Sequence, residues 1–75
     1  MQASMNQINP KKLLLSKWTS TSPQKKEKHF IVTELIRDDQ EIITQCVIEA
    51  VLTHTQYTIP WQDLKSPAHW KQGWQ

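Results

Sequence analysis

The stretch HFIVTELIRDDQEIITQCVIEAVLT, residues 29–53, determines the predicted fold. Its first part, residues 29–37, is rich in β-branched and aromatic side chains, which favour pleated strands. A period-two alternation divides the apolar residues between two faces, with Phe30, Val32 and Ile36 on one and Ile31 and Leu35 on the other. Because both faces carry apolar groups, we predict that this strand is central in a sheet.

The second part, residues 42–53, is compatible with a helix or a strand. Ile43, Val47 and Val51 recur at a helical spacing of four, but five of the twelve residues are Ile or Val and two more are Thr. Branching at Cβ favours a strand. Its predicted apolar face consists of Ile42, Cys46, Ile48, Ala50 and Leu52. The stretch DDQE between the two parts is typical of a turn, so the sequence predicts an antiparallel hairpin.

Shorter strands are predicted on both sides of this hairpin. Residues 18–21 (WTST) suit an edge strand that Pro23 ends, and residues 56–60 (QYTIP) suit a further strand. Beyond them, Pro60 and Pro67 stand at favourable first positions of two short helical turns. The predicted fold class is therefore mainly β, with a small α+β domain possible. We expect an antiparallel β-sheet of three or four strands with one or two short C-terminal helical turns.

Two of the four tryptophans, Trp70 and Trp74, lie close to the end of the sequence. Ser66 is a suitable N-cap for the second helical turn, and Gly73 is a suitable left-handed residue at its end. The residue after such a glycine often packs back on the last turn, so Trp74 is expected to contact Trp70. We predict that Trp61 joins them in the core, because a domain this small needs large buried side chains.

The length of 75 residues and the single cysteine predict one small domain without an internal disulfide. Residues 1–15 are predicted to form a flexible N-terminal tail, and residues 16–75 a single β-rich domain. No apolar run is longer than three residues, and LLL at residues 13–15 is far too short for a membrane span or a signal peptide. Because a lone cysteine is typical of compartments where thiols stay reduced, we expect a cytoplasmic protein.

Charge is distributed unevenly along the chain. Residues 1–29 carry six lysines and one acid, residues 30–64 carry one arginine and six acids, and Lys65 and Lys71 follow. A basic arm beside an acidic body can attract an anionic partner. The lysines are scattered and no arginine accompanies them, however, so a solvated surface is the favoured explanation.

Five short motifs occur in order along the chain: SKWT (16–19), EKHF (27–30), EAVLT (49–53), PWQDLK (60–65) and HWKQGW (69–74). This ordered set resembles a family of small, tryptophan-rich bacterial proteins of unknown function, over about residues 16–74. One departure is Ser66, where the family pattern has an acidic residue, and both residue types cap helices. The resemblance implies a bacterial, cytoplasmic protein and implies no activity.

The sequence contains no recognisable catalytic or metal-binding constellation. Cys46 falls in a predicted central strand, where a free cysteine usually acts as a small hydrophobe. A chain with one glycine has no glycine-rich phosphate loop, and His29, His54 and His69 lack the close spacing of zinc ligands. We therefore predict a protein that is not an enzyme and that has no cofactor and no metal.

The favoured function is a non-enzymatic protein-interaction module with an unidentified protein partner. An exposed sheet edge can pair with another strand, and tryptophan is a common interface anchor. The alternative is a single-stranded nucleic-acid-binding protein, since such proteins combine a cationic groove with aromatic stacking platforms. For either function, charge and expected exposure select as contact residues Trp18, Lys25, Lys26 and Lys28.

Overall fold

The computed structural model of the chain describes residues 5–75 and contains a five-stranded antiparallel sheet. The strands, in chain order, are β1 (Lys17–Gln24), β2 (Glu27–Arg37), β3 (Ile43–Ala50), β4 (Gln56–Pro60) and β5 (Trp70–Gln72). Their order across the sheet is β4-β3-β2-β1-β5. Two short 3-10 turns accompany them, Pro10–Lys12 and Trp61–Lys65. The predicted mainly β class is confirmed, with five strands where three or four were expected.

The predicted central hairpin is formed by β2 and β3. Phe30 lies opposite Ala50, and Val32 lies opposite Ile48. Residues opposite each other in paired strands project from the same face, so these four side chains share one face, which we call the core face. All four are buried. The hairpin thus supplies the centre of the hydrophobic core, as its β-branched sequence predicts.

Two β-bulges change which side chains of the hairpin reach the core. The register of β2 against β3 shifts after Val32 and again after Ile36. A bulge adds one residue to one strand and so reverses its in-and-out alternation. As a result Leu35 packs against the core where Ile36 was predicted, and Ile43 is buried where Ile42 was predicted. The bulges make those two face assignments wrong.

The first strand is longer than predicted and is not an edge. β1 continues through Pro23, which was expected to end it. The β1–β2 register is irregular between Thr19 and Gln24, so Pro23, which has no N–H, interrupts no regular ladder hydrogen bond. A two-residue turn at Lys25 and Lys26 joins β1 to β2, and both residues have positive φ, 54° and 64°. Positive φ at both central positions matches the right-handed twist of a hairpin. On its other side β1 pairs with β5.

The second predicted helical turn is limited to a single turn, in which His69 N and Trp70 N donate to Ser66 O at 3.1 and 2.9 Å, and the chain from Trp70 onward is a strand instead. Trp70 pairs with Ser20 as part of β5, and Gly73 N donates to Lys17 O at 2.8 Å. β1 would otherwise leave a row of backbone groups unpaired, and this partner overrides the local capping signals. Gly73 does adopt the predicted left-handed conformation, with φ of 79°, but it follows a strand. The first predicted turn is present as Trp61–Lys65.

Residues from the predicted tail pack on the core face. Leu13 is only 2% exposed and belongs to the core cluster. Asn6 Nδ2 donates to Leu64 O at 2.8 Å and to Trp70 O at 3.0 Å, and Leu15 N donates to Val32 O at 2.7 Å. The prediction of a flexible tail over residues 1–15 is corrected for these residues, while residues 1–4 lie outside the described part. No helix among residues 5–75 is long and apolar enough to cross a membrane.

Candidate functional site

A cavity of about 270 Å³ opens on the core face. The cavity is lined by Ser20 and Trp70, which lie opposite each other on β1 and β5, and by Ile48 and Tyr57, which lie opposite each other on β3 and β4. Phe30 of β2 lines it as well, so all five strands contribute. Its apolar and acidic lining, which we call the aromatic groove, consists of Glu27, Phe30, Ile48, Tyr57, Ile59 and Trp70. The two edge strands, β4 and β5, therefore face one cavity across the central strand β2.

Three aromatic rings stand at steep angles around this groove. The centroid of Phe30 lies 5.3 Å from that of Trp70, with 82° between the ring planes, and 6.2 Å from that of Tyr57, with 63°. Edge-to-face packing of this kind stabilises aromatic pairs. Phe30 is buried at the centre, Trp70 is half-buried, and Tyr57 is 36% exposed at the rim. The groove is thus a concave aromatic surface that solvent reaches from one side.

A carboxylate lies at one end of the groove. Glu27 is only 6% exposed, and it accepts hydrogen bonds from the hydroxyls of Thr53 and Tyr57. These bonds, Thr53 first, lower the pKa of Glu27, because donors to the charged form stabilise it. The hydrogen bond between Tyr57 and Glu27 raises the pKa of Tyr57. Within residues 5–75, no lysine, arginine or histidine nitrogen lies within 4.0 Å of this carboxylate.

The edge strand β4 runs beside the groove. Ala50 N donates to Thr55 O at 2.9 Å. In an antiparallel ladder, hydrogen-bonded and non-hydrogen-bonded pairs alternate, so Tyr57 and Ile59 bond to β3 while Gln56 and Thr58 direct N–H and C=O groups outward. Pro60, which has no N–H, falls at the next outward position. The outer side of β4 therefore offers free backbone groups next to an apolar groove.

The predicted contact residues are not brought together. Trp18 is 2% exposed, and its Nε1 donates to Ser16 Oγ at 2.9 Å inside the core. Its predicted exposure is therefore wrong, because the pairing of Trp18 with Phe30 turns the indole to the core face. Lys25 and Lys26 are exposed in the β1–β2 turn, and Lys28 is exposed on β2.

The exposed tryptophan is Trp74, which was predicted to be in the core. Its side chain is 44% exposed, and its Nε1 donates to Phe30 O at 2.9 Å. Lys17 Nζ lies 4.8 Å from the centroid of the indole, and the ring of His29 lies 6.0 Å away. Lys17 and His29 sit at register positions opposite to the core face. Trp70 and Trp74 therefore pack on opposite faces of the sheet and hold the end of the chain between them.

Cys46 is fully buried in the core cluster. Burial, and then the charge of Asp63, raise the pKa of its thiol to about 11. A thiol with so high a pKa is protonated near neutral pH and is a poor nucleophile. Cys46 therefore serves as a small core residue, as predicted from its strand.

The residues that form the aromatic groove were missed by the sequence analysis. Tyr57 and Ile59 are two residues apart in a predicted strand, and this spacing places them on one face. It does not show that the face borders a cavity. Glu27 is the one acid among the six lysines of residues 1–29, and that charge pattern gives no sign of a site. Among residues 5–75, no three His, Cys, Asp or Glu side chains converge where they could hold a metal ion.

A family model described as "Tryptophan-rich protein (DUF2389)" matches residues 16–75. No curated protein and no solved structure matches the chain. The matched range includes all five strands and the whole aromatic groove, and it begins after Leu13.

Proposed function

We propose that this chain, which belongs to the tryptophan-rich protein family, is a non-enzymatic module that binds an extended segment of a partner protein along β4. The observation that carries the proposal is the open backbone edge of β4 beside the aromatic groove. We further propose that the module acts in a bacterial cytoplasm. The resemblance to bacterial proteins and the single free cysteine support that setting.

An added strand explains how affinity and specificity would arise together. A partner strand beside β4 would bond to the outward N–H and C=O groups of Gln56 and Thr58. Alternate side chains of that strand would lie on the core face, next to Tyr57 and Ile59. Backbone pairing would supply sequence-independent affinity, and the groove would select the side chain that enters it.

The two edges of the sheet differ in how well they are protected. Natural edge strands are usually short, or carry lysine or proline, because open edges invite unwanted pairing. β5 has three residues and includes Lys71. β4 has five residues with no charged side chain, and its proline stands at the very end, at Pro60. The unprotected stretch of β4 supports it as the docking edge.

Thr58→Pro is expected to abolish partner binding while leaving the sheet intact. The substitution removes an outward N–H that makes no bond to β3, and prolines are tolerated at such positions. Losing that bond and adding a steric clash should weaken capture of a partner by about tenfold or more. The measurement is quantitative mass spectrometry of proteins retained from the source organism by each immobilised variant.

Thr58→Val is the matched control, because it keeps the backbone N–H and the β-branched shape. The proposal requires a protein that the wild type and Thr58→Val retain equally and that Thr58→Pro loses. If all three variants retain the same proteins in the same amounts, the β4 edge is not the docking site. Circular dichroism of each variant establishes that the sheet is retained.

Single-stranded nucleic-acid binding is the second candidate, and the exposed indole of Trp74 favours it. Lys17 stacks on this ring, and Lys28 and Lys71 line a neighbouring depression. A cation beside an exposed aromatic ring is the usual arrangement for stacking unpaired bases. The aromatic platform is then Trp74, since Trp18 is buried.

A fluorescence titration with mixed single-stranded RNA at low and moderate salt tests this candidate. Nucleic-acid binding predicts quenching that weakens steeply with salt and that Trp74→Leu removes. Trp61→Leu is the matched control, because Lys65 Nζ also lies 4.8 Å from the Trp61 ring. A flat signal at both salt concentrations would exclude the candidate and leave the protein partner.

A further inference from the structure

We propose that the aromatic groove binds an alkylated ammonium group, enclosed by the rings of Phe30, Tyr57 and Trp70 and faced by the carboxylate of Glu27. This inference rests on the proposed function in taking the same groove as the binding site, and it names the chemistry that the groove selects. The group is either a small quaternary ammonium compound or the side chain of a lysine on the partner.

The arrangement of the rings is the first support. Aromatic rings carry negative charge on their faces and attract cations that approach within about 6 Å of the centroid, tryptophan most strongly. The edge-to-face contacts at 82° and 63° use one ring face in each pair, and the remaining surfaces of the three residues border the same cavity. A tetrahedral alkylammonium group can touch several such surfaces at once, which is how aromatic cages recognise it.

The charge of the groove is the second support. Glu27 is almost fully buried and is held in its ionised form by two hydroxyl donors. Buried carboxylates are usually matched with a cation, yet within residues 5–75 no cationic nitrogen lies within 4.0 Å of this one. Lys25, in the adjacent β1–β2 turn, contributes a favourable charge from a greater distance. A neutral apolar guest would cover the carboxylate without bringing a cation into contact with it, which is costly. A cationic guest removes that cost.

The size of the groove limits the guest. Sites for drug-sized ligands usually have volumes of about 300–1,000 Å³, and this cavity has about 270 Å³. It therefore suits one small headgroup or one side chain. The open rim at Tyr57 leaves room for the remainder of the ligand to extend toward β4.

A titration of the full chain with choline and with 3,3-dimethylbutanol tests the inference. The two molecules have nearly the same shape, but only choline is charged. Tryptophan fluorescence and calorimetry should both show choline binding at least about tenfold more tightly than the neutral alcohol. Equal affinities, or no binding of either molecule, would overturn the inference.

Substitutions at Tyr57 and Glu27 test the roles of the ring and the charge. Tyr57→Phe keeps the ring and Tyr57→Leu removes it, and both lack the hydroxyl that bonds to Glu27. We expect Tyr57→Leu to bind choline several-fold more weakly than Tyr57→Phe. Glu27→Gln should weaken choline and leave the neutral alcohol unchanged. If choline affinity is the same in all of these variants, the cation lies elsewhere. Denaturant unfolding of each variant identifies any loss of fold.

Two further arms separate the sources of the group and the two proposals. Tighter binding of N-acetyl-trimethyllysine amide or N-acetyl-lysine amide than of choline assigns the group to a partner's lysine, and the reverse order assigns it to a small molecule. Thr58→Pro should leave choline affinity unchanged, because the guest contacts side chains in the groove. Suppose that Thr58→Pro loses a partner that the wild type retains, and that the wild type does not bind choline. The proposed function then stands, and only this inference is refuted.

Discussion

Trp18→Ala is expected to lower the free energy of unfolding by about 3–5 kcal/mol, the usual cost of truncating a buried aromatic residue. The indole is 2% exposed, and its removal leaves a cavity in the core cluster beside Phe30, its register partner on β2. The substitution also leaves Ser16 Oγ without its indole donor. A chain of 75 residues has a total stability of about 4–11 kcal/mol. The variant should therefore lose a large share of its stability, which a urea titration followed by circular dichroism measures as a much lower unfolding midpoint.

Trp74→Ala is the matched control for this change. Its indole is 44% exposed and contributes one hydrogen bond to Phe30 and a contact with Lys17. Contacts of this kind at the surface contribute about 0.5–1.5 kcal/mol each, so Trp74→Ala should cost clearly less than Trp18→Ala. Similar costs for the two variants would contradict the placement of Trp18 in the core and of Trp74 at the surface.

The sequence predicted the environments of these two tryptophans the wrong way round, and the reason is physical. Trp18 stands among polar neighbours in the stretch KWTSTS, so its own segment gives no sign of which face is buried. The pairing of Trp18 with Phe30 decides that face. A shift of one residue in register would turn the side chain to the other face. Register is set by the pairing of two strands, and the polar sequence around Trp18 does not specify it.

The strands that could be predicted are those with strong local signals. The β-branched composition of β2 and β3 and the short turn between them indicate a hairpin without reference to the rest of the chain. β5 has no such signal, because Ser66, Pro67 and Gly73 form a pattern that also suits a short helix. The free edge of β1 selects the extended form. That partner is distant in sequence, so the local pattern does not reveal it.

The aromatic groove was beyond prediction for a related reason. Tyr57 and Trp70 belong to opposite edge strands of the sheet and both pack against Phe30 on its central strand. They can do so because twisted sheets curve, which brings the corners of their edges toward one another. The site is thus a consequence of strand order and twist. Residue types alone indicated aromatic side chains without showing that three of them share a cavity.

The N-terminal segment bears on the same groove, since Asn6 is hydrogen-bonded both to Leu64 in the second 3-10 turn and to Trp70 in β5. These two bonds connect the N-terminal segment and the second 3-10 turn to β5, the edge strand whose Trp70 lines the groove. Leu13, in the same N-terminal segment, adds a buried side chain to the core. Residues outside the family match therefore support the position of a residue inside it.

Leu13→Ala is accordingly expected to lower the free energy of unfolding by about 2–4 kcal/mol, as for other buried leucines. Leu14→Ala is the neighbouring control, because Leu14 is 50% exposed and such surface changes usually stay within about 0.5 kcal/mol. Denaturant titrations of both variants measure the difference. If both changes are negligible, the side chain of Leu13 is not part of the core. If only Leu13→Ala destabilises the protein, Leu13 is part of the core. A chain without residues 5–15 would then have part of its core exposed, and binding measurements on it would not describe the intact domain.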